Sequence, residues 1–240
     1  MDEKQLKTSL WQRIIIIIVA ILLLGSTVLT YMFIVMSGNA SKQEAEERLA
    51  QLEAEYSAKS DELQTVAHDF GEKYLKDLQT YQKSQVKSFN AAKVNNQEKL
   101  QYADLKAGTG RQLKEGDTDY MAYYVGWCPD GSIFDSSFDY AADDTDKKTP
   151  TGLKVPLVKP TSLIEGWTQG VIGMKLGGVR QITIPGELAY GDTDQYCGMS
   201  NAPMKFVVMA LEVDATLDQA YTAWNDARIN LSMAYMGSGS

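Results

Sequence analysis

The residues able to do chemistry lie in four short blocks, at residues 123–126, 130–137, 163–174 and 184–191. Each block sets aromatic and aliphatic side chains beside a few phenols and carboxylates, with Tyr124, Phe134, Asp135, Trp167 and Tyr190 the most distinctive. None of these groups is a strong nucleophile or an obvious general base. A set of this kind suits binding and torsion in an apolar site better than it suits bond cleavage. The single histidine, His68, lies in a polar helical stretch with no second soft ligand nearby, so neither a metal site nor a histidine-based triad is expected, and no cofactor is called for. The formal net charge is -8, and acidic side chains outnumber basic ones across residues 101–214. Nucleic acid is therefore a poor partner.

Those blocks need a scaffold, and the surrounding pattern supplies one. Residues 120–127 are rich in aromatic and β-branched types, as are 179–184, which end at Pro185 and Gly186, and 205–213; all three are read as strands. Between them Leu163, Ile164, Trp167, Val171 and Met174 recur at steps of three and four, the mark of one short helix with an apolar face. Several strands and a single helix imply an α+β domain, a curved antiparallel sheet or half-barrel wrapped around that helix, over residues 98–214.

The N-terminal part reads differently. Residues 14–36 carry no charge and open on the run Ile14, Ile15, Ile16, Ile17, Ile18. As a helix this stretch is roughly 35 Å long, enough to span a bilayer core of about 30 Å. A cleaved signal peptide is the competing reading, given Lys4, Lys7 and Arg13 before the run and the small residues Gly38 and Ala40 after it, but such apolar cores are shorter. The basic flank favours residues 1–13 as a cytoplasmic tail, with everything beyond the span on the other side of the membrane. Residues 37–97 are read as a helical, coiled-coil-like stalk: Ala45, Leu49, Leu52, Tyr56, Leu63, Val66 and Phe70 follow an a/d seam that drifts beyond Gly71. The seam fits a dimerising stalk or an amphipathic helix that packs back on its own domain. The Asn- and Lys-rich residues 91–97 read as a hinge, and residues 215–240 as a C-terminal helix with a flexible end.

Taken in order and spacing, the four blocks resemble the FKBP-type peptidyl-prolyl cis/trans isomerases over roughly residues 101–214. The resemblance implies an isomerase that takes proline-containing polypeptides; combined with the anchor reading, it is expected to assist the folding of exported or membrane-proximal proteins. It implies Trp167 as the floor under the proline ring, walls from Tyr124, Phe134, Leu163, Ile164 and Met209, and polar contacts from Asp135, the Tyr190 hydroxyl and the Ile164 N–H. Two departures stand out: the family commonly has an aromatic residue at Met209 and a basic one at Tyr140. A third is the segment from Leu153, where an aromatic-rich strand is expected. With Leu163, these three positions are taken as substrate-binding. The departures leave an alternative, a catalytically weak domain that grips proline-containing segments as a chaperone on its anchored stalk. Finally, Cys128 and Cys197 are compatible either with a disulfide outside the cytoplasm or with two independent buried thiols.

Overall fold

The structure is a computed structural model and describes residues 42–83, 88–97, 99–141, 143, 150–193 and 196–237. The expected tail at 1–13, the span at 14–36 and the cleavage alternative after it lie outside these residues. Among the described residues no helix is long and apolar enough to cross a membrane.

The strand expected over residues 120–127 forms as β2 (Met121–Trp127). Before it comes β1 (Gln101–Lys106), and after it β3 (Ile133–Ser136), β4 (Phe138–Tyr140), β5 (Pro150–Leu153), β6 (Leu157–Val158), β7 (Gly178–Ile184) and β8 (Met204–Leu211). Six of these strands make one antiparallel sheet in the order β1-β7-β8-β2-β3, with β6 pairing the start of β2, while β4 and β5 form a separate ribbon. Side chains alternate across the sheet with the period of two that a pleated strand imposes. On β8, Phe206, Val208 and Ala210 point to one apolar cluster and Val207, Met209 and Leu211 to another. β2 divides in the same way, with Ala122 and Tyr124 facing Phe206 and Met121, Tyr123 and Val125 facing Met209.

The inner face is covered by the one short helix the sequence calls for, α4 (Glu165–Val171). It sits very close to β7: a Cβ on Gly166 would lie 2.2 Å from Ile184 Cγ2, and one on Gly170 would lie 2.6 Å from Ile182 Cγ2. Arg180 fixes the far end of this helix. Its buried guanidinium donates to the carbonyls of Gly170 and Ile172, each at 2.9 Å, and to Asp104 at 2.6 and 3.2 Å. These carbonyls belong to the last turn, where no intrahelical donor remains.

The outer face is covered by α1 (residues 42–71), α2 (Leu75–Lys83) and α5 (Ala215–Gly237). Leu63, Ala67, Phe70, Leu78, Leu217 and Ala220 are buried in one cluster with Met121, Tyr123 and Val207. From Leu63 onward the seam of the expected stalk therefore packs on its own sheet. The drift in register beyond Gly71 is a turn, closed by the Tyr74 N–H on the Gly71 carbonyl at 2.8 Å. The expected hinge contains a short helix, α3 (Ala91–Asn95), because Asn90 accepts the Lys93 N–H at 2.8 Å as an N-cap. Asn95 then bonds the Asn201 carbonyl and the Gly186 N–H, both at 2.9 Å, so this segment is docked rather than loose.

The chain divides into two compact units, one of residues 56–228 and one of residues 1–55 with 229–240. In the second, the described residues are the start of α1 and the end of α5, where the Tyr235 hydroxyl donates to the Glu53 carboxylate. In the first, Cys128 at the end of β2 is disulfide-bonded to Cys197, with their Cα atoms 5.6 Å apart.

Candidate functional site

The site is assembled from α4, β2, β3, β8 and the turn after β7. At the start of α4, Ile164 is extended (φ -59°, ψ 148°), and its carbonyl accepts the Trp167 N–H at 3.0 Å and the Thr168 N–H at 3.3 Å. The first turn thereby aims Trp167 at the inner face of the sheet. There the indole Nε1 donates to the Tyr120 hydroxyl at 3.2 Å, and the ring meets Tyr124 edge-on at 5.2 Å and Phe206 edge-on at 5.3 Å. Edge-to-face contacts of this kind match the positive rim of one ring to the negative face of the other. Phe134 closes the aromatic shell, T-shaped to Phe206 at 5.6 Å and to Tyr190 at 6.4 Å. Glycine is required beneath it, since a Cβ on Gly126 would lie 2.6 Å from the Phe134 ring and 2.9 Å from Phe206.

Tyr124 is held by its backbone as well as by its ring. β3 and β6 pair with opposite ends of β2, and at Tyr124 between them the N–H donates to Ser137 Oγ at 2.9 Å while the carbonyl accepts the Ser137 N–H at 2.8 Å. The Tyr124 hydroxyl donates to the exposed Asp135 carboxylate, whose other oxygen accepts the Ser136 N–H at 2.8 Å. Burial first, and then the Asp135 hydrogen bond, holds the Tyr124 phenol well above the ordinary tyrosine range. Tyr190 is raised as well, by burial and then by the neighbouring Tyr196 and Asp135. It follows a 3-10 turn at Gly186–Leu188 and is bracketed by the Gly191 N–H on the Gly186 carbonyl at 2.9 Å. Both phenols are therefore neutral hydrogen-bond donors around pH 7.

The indole of Trp167 is only 2% exposed, so the floor is covered by its neighbours rather than open. Tyr124, Phe134, Leu163, Ile164 and Tyr190 are half-buried around it and form the rim. Nothing in this shell is arranged to abstract a proton or attack a carbonyl. Among the described residues no group of three or more His, Cys, Asp or Glu could hold a metal ion.

The structure brings Tyr124, Phe134, Asp135, Leu163, Ile164, Trp167 and Tyr190 together and leaves three sequence-assigned residues elsewhere. Met209 pairs with Tyr123 and shares its outward direction, so it packs in the outer cluster; the wall assigned to it is supplied by Phe206, three residues earlier and in opposite phase. Leu153 pairs with Phe138 in the β4–β5 ribbon and is buried in the same outer cluster, as the close approach of Gly71 to its Cβ reflects. Tyr140 packs against that cluster too, its ring 6.1 Å from Phe138, rather than in the shell around Trp167. The sequence reading also passes over Tyr196, whose ring lies 4.1 Å from Tyr190 and 6.0 Å from Phe134. Phe206 lies on an all-apolar strand whose pattern does not mark the inward face, and Tyr196 is placed by the bond at Cys197; neither carries a local signal.

Comparison with known proteins agrees with this arrangement. The family model for FKBP-type peptidyl-prolyl cis-trans isomerase matches residues 109–211. An FK506-binding protein of Neisseria meningitidis serogroup B is 35% identical over 88 residues, 37% of this chain and 71% of its own length. The peptidyl-prolyl cis-trans isomerase Mip of Chlamydia trachomatis is 40% identical over 97 residues, 40% of this chain and 35% of its own. FK506-binding protein 4 of Chaetomium thermophilum is 34% identical over 110 residues, 46% of this chain, but the chain spans only 20% of that protein's length. By its motif blocks, its half-barrel around α4 and its similarity to the Neisseria protein, the chain belongs to the FKBP-type peptidyl-prolyl cis-trans isomerases.

Proposed function

We propose that this protein catalyses cis/trans isomerisation of the peptide bond before proline in polypeptide substrates, and so assists the folding of exported or membrane-proximal proteins. The observation that carries the reading is the Trp167 indole, fixed by Tyr120 and flanked edge-on by Tyr124 and Phe206 beneath a half-buried rim. Rotation about an amide must overcome a barrier of about 18–20 kcal/mol set by resonance, while the two prolyl isomers differ by only about 0.5–1 kcal/mol. No bond to a proton needs to change. The twisted amide has less charge separation than the planar one, so an apolar hollow favours it over the ground state. In this reading the half-buried rim parts as substrate enters, and the pyrrolidine ring lies on Trp167 against Phe134 and Phe206. The Tyr190 hydroxyl and the Ile164 N–H donate to the carbonyls on either side of the twisting bond, and Asp135 holds Tyr124 and the β3 rim in position.

The departure at Met209 that motivated a catalytically weak alternative concerns the outer face, and Phe206 supplies an aromatic wall, which supports the enzymatic reading. A protease-coupled assay on the full-length chain, with a peptide bearing an apolar residue before proline, tests it. The wild type should accelerate isomerisation, and Tyr190→Phe, which keeps the ring and removes one donor, should lower kcat/KM about tenfold. No acceleration by the wild type would end the enzymatic reading.

We also propose that residues 14–36 anchor the chain as a single-pass span, with residues 1–13 cytoplasmic and the isomerase domain on the far side. The uncharged run supports this, and so does the Cys128–Cys197 bond, since disulfides persist in oxidising compartments. A stalk-mediated homodimer would have to use the stalk before Leu63, because the seam from there on is occupied by the protein's own sheet. Alkaline extraction of membranes from expressing cells should leave the chain in the pellet, and protease added on the extracytoplasmic side should digest it; release into the supernatant would refute the anchor.

A further inference from the structure

A second groove lies on the other side of Leu163 from the prolyl site. Its volume is about 510 Å³, and its walls come from Tyr56 and Leu63 on α1, Pro160 and Leu163 on the loop between β6 and α4, and Tyr221 and Trp224 on α5. That is within the range of pockets that enclose a ligand. The aromatic wall is continuous: Trp224 lies 6.5 Å from Tyr56 and 5.6 Å from Tyr221.

The groove is held open by a strained loop. Lys159 adopts φ 45°, a conformation uncommon outside glycine, and is kept there by its N–H on the Tyr120 carbonyl at 2.9 Å and its ammonium on Asp218 of α5 at 2.7 Å. Strain of this kind concentrates where a surface is shaped for a ligand. Lys159 is the one charged side chain among the described lining residues, and Asp218 neutralises it. The groove therefore favours an uncharged, apolar occupant. Two features join it to the prolyl site. Leu163 belongs both to the groove wall and to the rim above Trp167, and Tyr120 supports the indole with its hydroxyl and the groove loop with its carbonyl.

We propose that this groove is a subsite for the client polypeptide, taking an extended, uncharged stretch with bulky aliphatic or aromatic side chains that flanks the bound proline. The proposal rests on the isomerase reading of the neighbouring site and deepens it. A client bound at both places gains affinity from the apolar surface it covers away from the reacting bond, and that gain appears in KM. The preference is then for unfolded segments, whose apolar residues are exposed, over short prolyl sequences.

The test compares three peptides on the full-length chain: a prolyl tetrapeptide, the same core extended by a Leu- and Phe-rich stretch on either side, and the extended core with glutamates in place of the apolar residues. The apolar extension should raise kcat/KM about fivefold over the tetrapeptide, through KM, and the glutamate version should not. Gln64→Arg, an exposed position on α1 at the groove edge, should bring the ratio of extended to short peptide back toward one, and Trp224→Ala should do the same. Equal turnover of all three peptides by the wild type overturns the proposal. So does a ratio untouched by Gln64→Arg, and so does a change of oligomeric mass with that variant in sedimentation, which would make a second copy the occupant. Should no peptide be isomerised, the catalytic reading fails by itself, and fluorescence anisotropy of the labelled apolar peptide still decides the groove: binding weakened by Gln64→Arg sustains it, and no binding ends it.

Discussion

Arg180 and the buried phenols show how single side chains set the properties of this site. Arg180 is 2% exposed and spends its guanidinium on two helix-end carbonyls and a carboxylate, while its face stacks 4.1 Å from the Tyr102 ring. Lysine has neither the planar fork nor the stacking face. Arg180→Lys should therefore destabilise the domain by about 2–3 kcal/mol, read as a lower denaturation midpoint, because buried acceptors lose their donors. The tyrosines give a pH signature. Tyr120, Tyr123 and Tyr124 all have phenols raised above the 10.0 of a free tyrosine, chiefly by burial. A raised value means that the fold favours the neutral form, so this stabilisation is complete below about pH 10 and is lost as pH climbs toward the folded values. The urea midpoint should be unaffected by these groups from pH 8 to 9.5 and fall steeply above about pH 10. Isomerase activity, which moves no proton, should show no bell-shaped profile around neutrality.

At the scale of elements, the contact between α4 and β7 is a tight constraint on the aromatic site. A methyl on Gly170 would meet Ile182 at 2.6 Å, and overpacking of this kind costs about 1–3 kcal/mol, more than the roughly 1 kcal/mol that alanine gains over glycine in a helix. Gly170→Ala should lower the thermal midpoint, and Ile182→Val added to it should restore part of the loss. Elements of this kind were open to a reading of the chain. The strand at 120–127 and the helix carrying Trp167 follow from β-branched runs and a 3.6-residue period, and the motif blocks identify the residues they present. What could not be read was phase. Met209 and Phe206 differ by an odd number of residues on β8 and so face opposite ways, but both faces of this sheet are apolar, and an all-apolar strand carries no alternation to fix its register. For the same reason Leu153 and Tyr140 passed for pocket residues although a second core lay there to receive them.

The whole molecule has that second core because α1, α2 and α5 cover the outer face of the sheet. The segment that matches the family model ends at residue 211, whereas the compact unit runs over residues 56–228. A fragment starting at residue 98 lacks Leu63, Ala67, Phe70 and Leu78 and bares Met121, Tyr123 and Val207. It should elute as an aggregate in size-exclusion chromatography and bind a hydrophobic dye, while a fragment over residues 56–228 should elute as a defined species. The arrangement also imposes an order on synthesis. α1 and α2 precede β2, β7 and β8 along the chain and α5 follows them, so a nascent polypeptide covers only part of the apolar plane until Leu217 and Ala220 have emerged to close the rest. Closure of the outer core thus waits on the segment that follows β8, and the remainder of the plane stays open to solvent in the interval.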